Sequence, residues 1–170
     1  INQYTISFNS NGGTAVTAIT QDYATSVSAP TAPTKTGYTF GGWYSDAGLT
    51  SAYTFSTMPA SNITLFAKWD INSYTVTYDG NTNTGGSAPS DGSSPYTFGS
   101  TVTVLGNTGT LVKTGYTFAG WNTAANGSGT SYSPSATFSL GAGNVVLYAV
   151  WTINQYTISF NSNGGTAVTA

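Results

Sequence analysis

The sequence predicts a mainly β protein built from small modules in tandem, with little helix. Three observations carry this reading: short segments alternate apolar and polar residues with period two, turn-forming Asn and Gly separate them, and whole blocks of sequence return along the chain.

The elements follow in order. Tyr4, Ile6 and Phe8 alternate with Thr5 and Ser7, and Tyr74, Val76 and Tyr78 repeat the pattern. Such alternation marks a strand with one buried face. Asn9–Gly13 then supplies turn chemistry, because Asn and Gly tolerate positive φ. Thr14–Thr20 reads as a return strand. Pro30 and Pro33 make Ser28–Gly37 an extended or single-turn connector rather than a long helix. Gly37–Trp43 is a strand carrying Tyr38 and Phe40, broken at Gly41 and Gly42 by a bulge that re-aims Trp43. Ile63, Leu65, Ala67 and Trp69 share one face of a further strand, matched by Val145, Leu147, Ala149 and Trp151. No stretch holds helical periodicity over three turns.

The repeats set the organisation. "KTGYTFGGW" at Lys35–Trp43 returns as "KTGYTFAGW" at Lys113–Trp121, and "NITLFAKW" at Asn62–Trp69 returns as "NVVLYAVW" at Asn144–Trp151. The first eighteen residues, "INQYTISFNSNGGTAVTA", return verbatim as the last eighteen. Residues 1–70 are therefore read as a first module, 71–152 as a second, and 153–170 as the first strand and turn of a further repeat. The second module is longer before its KTGYTF motif and again after it, which marks those segments as loops. The core of the first module is expected at Tyr38, Phe40, Trp43 and Trp69, and that of the second at Tyr116, Phe118, Trp121 and Trp151. Large rings are an efficient way to fill a small core without disulfides. The connectors Asp70–Ser73 and Thr152–Gln155 are short, so the array is expected to be an extended, semi-rigid rod.

Composition narrows the chemistry. The 170 residues hold three Lys, five Asp, no Arg, Glu, His or Cys, and a net charge of −2. That field steers neither nucleic acid nor an anionic membrane surface. Absence of Cys excludes disulfides and thiolate sites. A hydrophobic content of 39% with 12 Tyr, 8 Phe and 4 Trp argues for a packed core and against disorder. No apolar run reaches membrane-spanning length, so membrane insertion is not expected. A leader or anchor, if the protein is exported, would lie outside these residues.

The order Y-T-V-x-[FY], N-G-G, A-P-x-x-P-x-K-x-G-Y-x-F-x-G-W-Y, [IV]-T-L-[FY]-A-x-W resembles the Listeria–Bacteroides repeat, the B-repeat of internalin-type surface proteins. It covers nearly all of the first module and both halves of the second. The resemblance implies a compact β-grasp-like module, used in tandem in secreted or wall-attached bacterial proteins, without catalytic residues. The second module departs from it: "VTVLGNTGTLVKTG" replaces the connector with its two prolines.

Candidate sites are few. Nucleophilic triads need a base, and His is absent. Asp22, Asp46, Asp70, Asp79 and Asp91 do not recur in register, so paired-carboxylate hydrolysis has no basis. No catalytic, cofactor or metal site is expected. Asp79–Gly86, with oxygens at alternate positions, raises the idea of calcium, but it has no bidentate Glu and reads as a solvated hairpin loop. Lys35 and Lys113 recur in register; an isopeptide crosslink would need a buried acid, and solvated lysines are the plainer reading. Asn62 and Asn126 fit the N-glycosylation pattern.

The resulting expectation is a non-catalytic stalk, spacer or fibre segment of an extracellular bacterial surface protein or adhesin. Its partners are neighbouring repeats, other copies joined head to tail, and a host glycan or protein. The rival is a glycan- or protein-binding adhesin module with exposed aromatics such as Tyr44. In the terminal repeat, Tyr156, Ile158 and Phe160 form an apolar strand face without a core of its own. Strand donation to a sheet edge, within the chain or between copies, follows as a further expectation, and a terminal segment that frays and pairs with nothing is the alternative.

Overall fold

The computed structural model describes residues 1–166. Among them there is no α-helix. The strands are β1 (Gln3–Asn9), β2 (Ile19–Asp22), β3 (Tyr38–Tyr44), β4 (Ile63–Ile71), β5 (Ser73–Tyr74), β6 (Val76–Asp79), β7 (Tyr96–Thr97), β8 (Thr101–Thr103), β9 (Tyr116–Asn122), β10 (Ser131–Tyr132), β11 (Thr137–Ser139) and β12 (Val145–Ile153). The chain is mainly β, and it divides into two compact units. Unit 1 is Ile1–Tyr74 with Pro95–Ser100 and Ser139–Gly143; unit 2 is Thr75–Ser94, Thr101–Phe138 and the described residues from Asn144 on.

Unit 1 holds a four-stranded sheet in the order β2-β1-β4-β3. The first and last strands of the repeat lie side by side and parallel, Ile6 opposite Ile63 and Phe8 opposite Leu65. Strand β3 runs antiparallel to β4, and its register slips between Phe40 and Gly42. That bulge lies at the glycine pair and turns Trp43 inward, where it is 5% exposed. Ile6, Val27, Met58, Leu65 and Ala67 complete the buried cluster, and Phe8, Phe40, Phe55 and Trp69 pack against it. The return strand is shorter and later than the alternation predicts. It begins at Ile19, because Thr14 N–H donates to Thr34 O and Thr34 N–H to Thr14 Oγ1. Those bonds tie the segment after the turn to the connector instead of to β1. A two-stranded ribbon, β5 with β7, also belongs to this unit.

Unit 2 repeats the plan as β10-β9-β12-β6, with β6 and β12 parallel, Val76 opposite Val145 and Tyr78 opposite Leu147. Its β9–β12 register slips at the matching place, between Val150 and Trp151. Among its buried residues, Val76, Tyr78, Val102, Trp121, Leu147 and Ala149 are position for position the counterparts of Ile6, Phe8, Val27, Trp43, Leu65 and Ala67.

Candidate functional site

Both repeats build the same aromatic ladder from β1/β6, β3/β9 and β4/β12. In unit 1 the Phe8 and Trp43 rings are 4.7 Å apart, Phe40 meets Trp43 edge-on at 5.4 Å, and Phe40 meets Trp69 edge-on at 5.6 Å. In unit 2 Tyr78–Trp121, Phe118–Trp121 and Phe118–Trp151 stand at 4.8, 5.1 and 5.9 Å. Edge-to-face pairs of this kind contribute about 0.5–1.5 kcal/mol each beyond burial. Trp43 and Trp121 are buried, whereas Phe40, Phe118, Trp69 and Trp151 are half-buried. Tyr38 is half-buried too, and Tyr116 is 37% exposed. The assignment of Tyr116 to the core is therefore corrected: it stands at the strand entrance, 37% exposed, with the Lys113 ammonium rather than a second ring over its face.

The half-buried tryptophans close the first turn of each repeat. Trp69 Nε1 donates to Ser10 O at 2.8 Å, and Trp151 Nε1 donates to Gly80 O and Asn81 O at 3.1 Å. Asn11 and Asn81 sit at φ 47° and 48° and donate from Nδ2 to Ala67 O and Ala149 O. Both recurring lysines join this knot. Lys35 Nζ donates to Asn11 O at 3.0 Å and lies 4.6 Å from the Tyr38 ring centroid. Lys113 Nζ donates to Thr82 Oγ1 at 2.7 Å and lies 4.7 Å from the Tyr116 ring. Their recurrence is thereby explained by turn closure and cation–π contact.

The carboxylates are spent locally. Asp22 accepts from Gln3 Nε2, Asp70 pairs with Lys68 at 3.9 Å, and Asp79 accepts from Asn81 N–H. Asp91 accepts from Ser93 N–H. Asp46 caps the loop after β3, taking the N–H groups of Thr50 and Ser51; these bonds, the Thr50 one foremost, hold its carboxyl below the usual carboxylate range. Among the described residues no three acids cluster in a way that could hold a metal ion. Asn62, one of the two glycosylation-pattern asparagines, accepts the Thr5 N–H through Oδ1, and Asn144 does the same for Thr75.

Two features carry no period-two signal and are visible only in three dimensions. Asn122 is 1% exposed and gathers the loop after β9, donating to Gly127 O and Gly129 O and accepting from Ala124 and Gly129 N–H. In unit 2 the Leu105 backbone is clasped between two rings: its N–H donates to Tyr78 Oη at 2.9 Å and its carbonyl accepts from Trp121 Nε1 at 2.8 Å. Burial pushes the Tyr78 hydroxyl pKa up, the Leu105 N–H opposes this, and the Asp91 charge adds to the rise. In unit 1 Phe8 replaces the tyrosine and Trp43 Nε1 has no protein acceptor.

The terminal copy lies open. Tyr156, Ile158 and Phe160 are 80%, 72% and 59% exposed and belong to no strand. Ala167–Ala170, the end of the verbatim copy, lies outside the described residues. No helix among the described residues is long and apolar enough to cross a membrane.

A family model described as the Listeria-Bacteroides repeat domain matches residues 4–68 and again 74–150. A protein of Evansella cellulosilytica named as a membrane protein is 42% identical over 160 residues, 94% of this chain and 24% of its own length. A second protein of that organism, named as a Gly-rich membrane protein, is 40% identical over 169 residues, 99% of this chain and 18% of its own. Internalin H of Listeria monocytogenes is 39% identical over 154 residues, 89% of this chain and 26% of its own. The chain thus spans about a quarter or less of the relatives it matches.

Proposed function

The chain belongs to the Listeria-Bacteroides repeat family, and on that footing we propose that it is a non-catalytic spacer segment of an extracellular, surface-associated bacterial protein. The observation that carries the reading is the use of the recurring side chains. The ladder rings, the indole N–H groups of Trp69 and Trp151 and both in-register lysines are taken up in closing each repeat on itself. Little of the recurring chemistry is left over for a substrate. The likeness to internalin H and to proteins named as membrane proteins supports the surface placement. The parallel pairing of first and last strands supports the β-grasp-like comparison. Donation of the terminal strand to a neighbouring sheet is part of the proposal, supported by the open face of Tyr156, Ile158 and Phe160.

Two measurements test it. Protease shaving of intact cells carrying the parent protein should release the repeats; repeats that resist shaving yet are cut in lysed cells would defeat the surface placement. On glycan and host-protein arrays the chain should show no saturable binding. Saturable binding abolished by Tyr44→Ala would replace the spacer with an adhesin module.

A further inference from the structure

Unit 1 fills with an aromatic ring a seat that unit 2 also builds but leaves without one. At the end of the first repeat, Asn72 N–H donates to Gly37 O, Thr39 Oγ1 donates to Asn72 Oδ1, and Asn72 Nδ2 reaches Tyr74 Oη. Phe98, in the Pro95–Ser100 segment of the same unit, donates its N–H to Asn72 O. Its ring stands edge-on to Tyr38 at 6.0 Å and lies over Gly37, where any Cβ would fall inside the ring. Gly37 is buried and at φ 79°. Only glycine permits both that conformation and that approach.

Every acceptor half of this arrangement recurs at the end of the second repeat. Asn154 N–H donates to Gly115 O, Thr117 Oγ1 donates to Asn154 Oδ1, and Asn154 Nδ2 reaches Tyr156 Oη. Gly115 has the same φ, 80°, yet a Cβ there would meet nothing within 4 Å, and Tyr116 is 37% exposed where Tyr38 is half-buried. At Gly115 nothing in unit 2 requires glycine on steric grounds beyond its φ. What is missing is the ring.

The matching ring is present at the other end of the chain. Tyr23 occupies the place of Phe98: its N–H donates to Asn2 O as that of Phe98 donates to Asn72 O, and Ala24 N–H donates to Met58 O as Gly99 N–H donates to Leu140 O. Tyr23 is 52% exposed and borders a concavity with Ile1, Asn2, Tyr4 and Ala60. The segment that Asn154 begins is identical to Asn2–Ala18, the run that leads to Tyr23 in the first repeat.

We infer that Gly115 and Tyr116 form the acceptor seat for the Tyr23 ring of a copy of the first repeat entered through Ile153. The repeat-to-repeat joint is then an aromatic ring set on a positive-φ glycine, keyed by the Asn that follows each last strand. Phe and Tyr serve alternately as the ring. The joint belongs to the repeats themselves and holds whether or not they act as a spacer.

The test extends the 170-residue chain past Ala170 with residues 19–74 of the first repeat, completing a third copy, and follows hydroxyl-radical labelling of Tyr116 relative to Tyr44. In the extended chain the ratio should fall to that of Tyr38, because the added ring takes Tyr116 surface away from water. Replacing the added tyrosine that matches Tyr23 by Ala should restore it, and replacing it by Phe should not. In the original chain Phe98→Ala should raise Tyr38 labelling to the level of Tyr116, whereas Phe98→Tyr should leave it low. A folded third copy with Tyr116 labelling unchanged overturns the inference. So does a third copy that cannot fold behind Asn154, or a Tyr38 that stays protected without Phe98.

Discussion

The clasp around Leu105 allows a sharp test of what a buried indole N–H contributes. Trp43 and Trp121 occupy matching places, 5% and 0% exposed, and each sits in an edge-on ring ladder. Replacing either by Phe removes similar ring volume and leaves a similar void, so the packing losses largely cancel between the two variants. The polar consequences differ. Trp121→Phe removes the donor for Leu105 O, at 2.8 Å, and leaves that half-buried carbonyl without its protein partner. Trp43→Phe removes a buried donor that has no protein acceptor. A lost hydrogen bond with a partner left unpaired costs about 1–3 kcal/mol. Trp121→Phe should therefore destabilise unit 2 by about 1–3 kcal/mol more than Trp43→Phe destabilises unit 1. For a unit of this size each kcal/mol corresponds to about 4–8 °C in Tm. Residue-resolved hydrogen exchange reads the two units separately. Tyr78→Phe should also weaken unit 2, since Tyr78 Oη accepts the Leu105 N–H, and the double variant should lose less than the sum because both bonds hold the backbone of one residue and the two rings touch. Equal losses for the two tryptophans, or additivity of Tyr78→Phe with Trp121→Phe, would refute the reasoning.

Gly13→Ala should destabilise unit 1 by about 1–3 kcal/mol in urea denaturation, because the new Cβ would overlap the Trp69 ring and press on Thr34 O at 3.1 Å. Asn122→Ala should cost about 2–3 kcal/mol and speed exchange of the Ala124 and Gly129 amides, since both would lose their acceptor. Stability should respond to pH at two ends. The Asp46 pKa is depressed in the fold, so its contribution is full above the ordinary carboxylate value and is lost as pH falls through the folded value; Asp46→Asn should flatten that acid limb in a pH series of melts. The Tyr78 pKa is raised, so its contribution is full below its ordinary value of 10.0 and is lost as pH rises through the folded value; Tyr78→Phe should reduce the alkaline loss.

Much of this protein follows from its sequence alone. The repeats, the alternation of Tyr4, Ile6 and Phe8, the run Ile63–Trp69 and the glycine pair before Trp43 determine which residues are strands, which faces turn inward and where the bulge falls. These are local matters: side-chain period and φ preference act within a few residues. The same locality explains what alternation could not decide. It cannot say that β1 lies parallel beside β4, or that Thr14 pairs with Thr34 and delays the return strand to Ile19. It assigned Tyr116 and Tyr38 alike to the core, yet their surroundings differ because the Phe98 ring, 60 residues beyond Tyr38, packs on one and no second ring packs on the other among the described residues. It treated Lys35 and Lys113 as solvated, although each reaches back more than 20 residues to close a turn. It gave no weight to Asn122 or to the Leu105 backbone, whose hydrogen-bond partners are set by loops that differ in length between the repeats. Period and propensity report which way a side chain faces. The partner it meets there is chosen by chain closure over tens of residues, and only the tertiary structure records that choice.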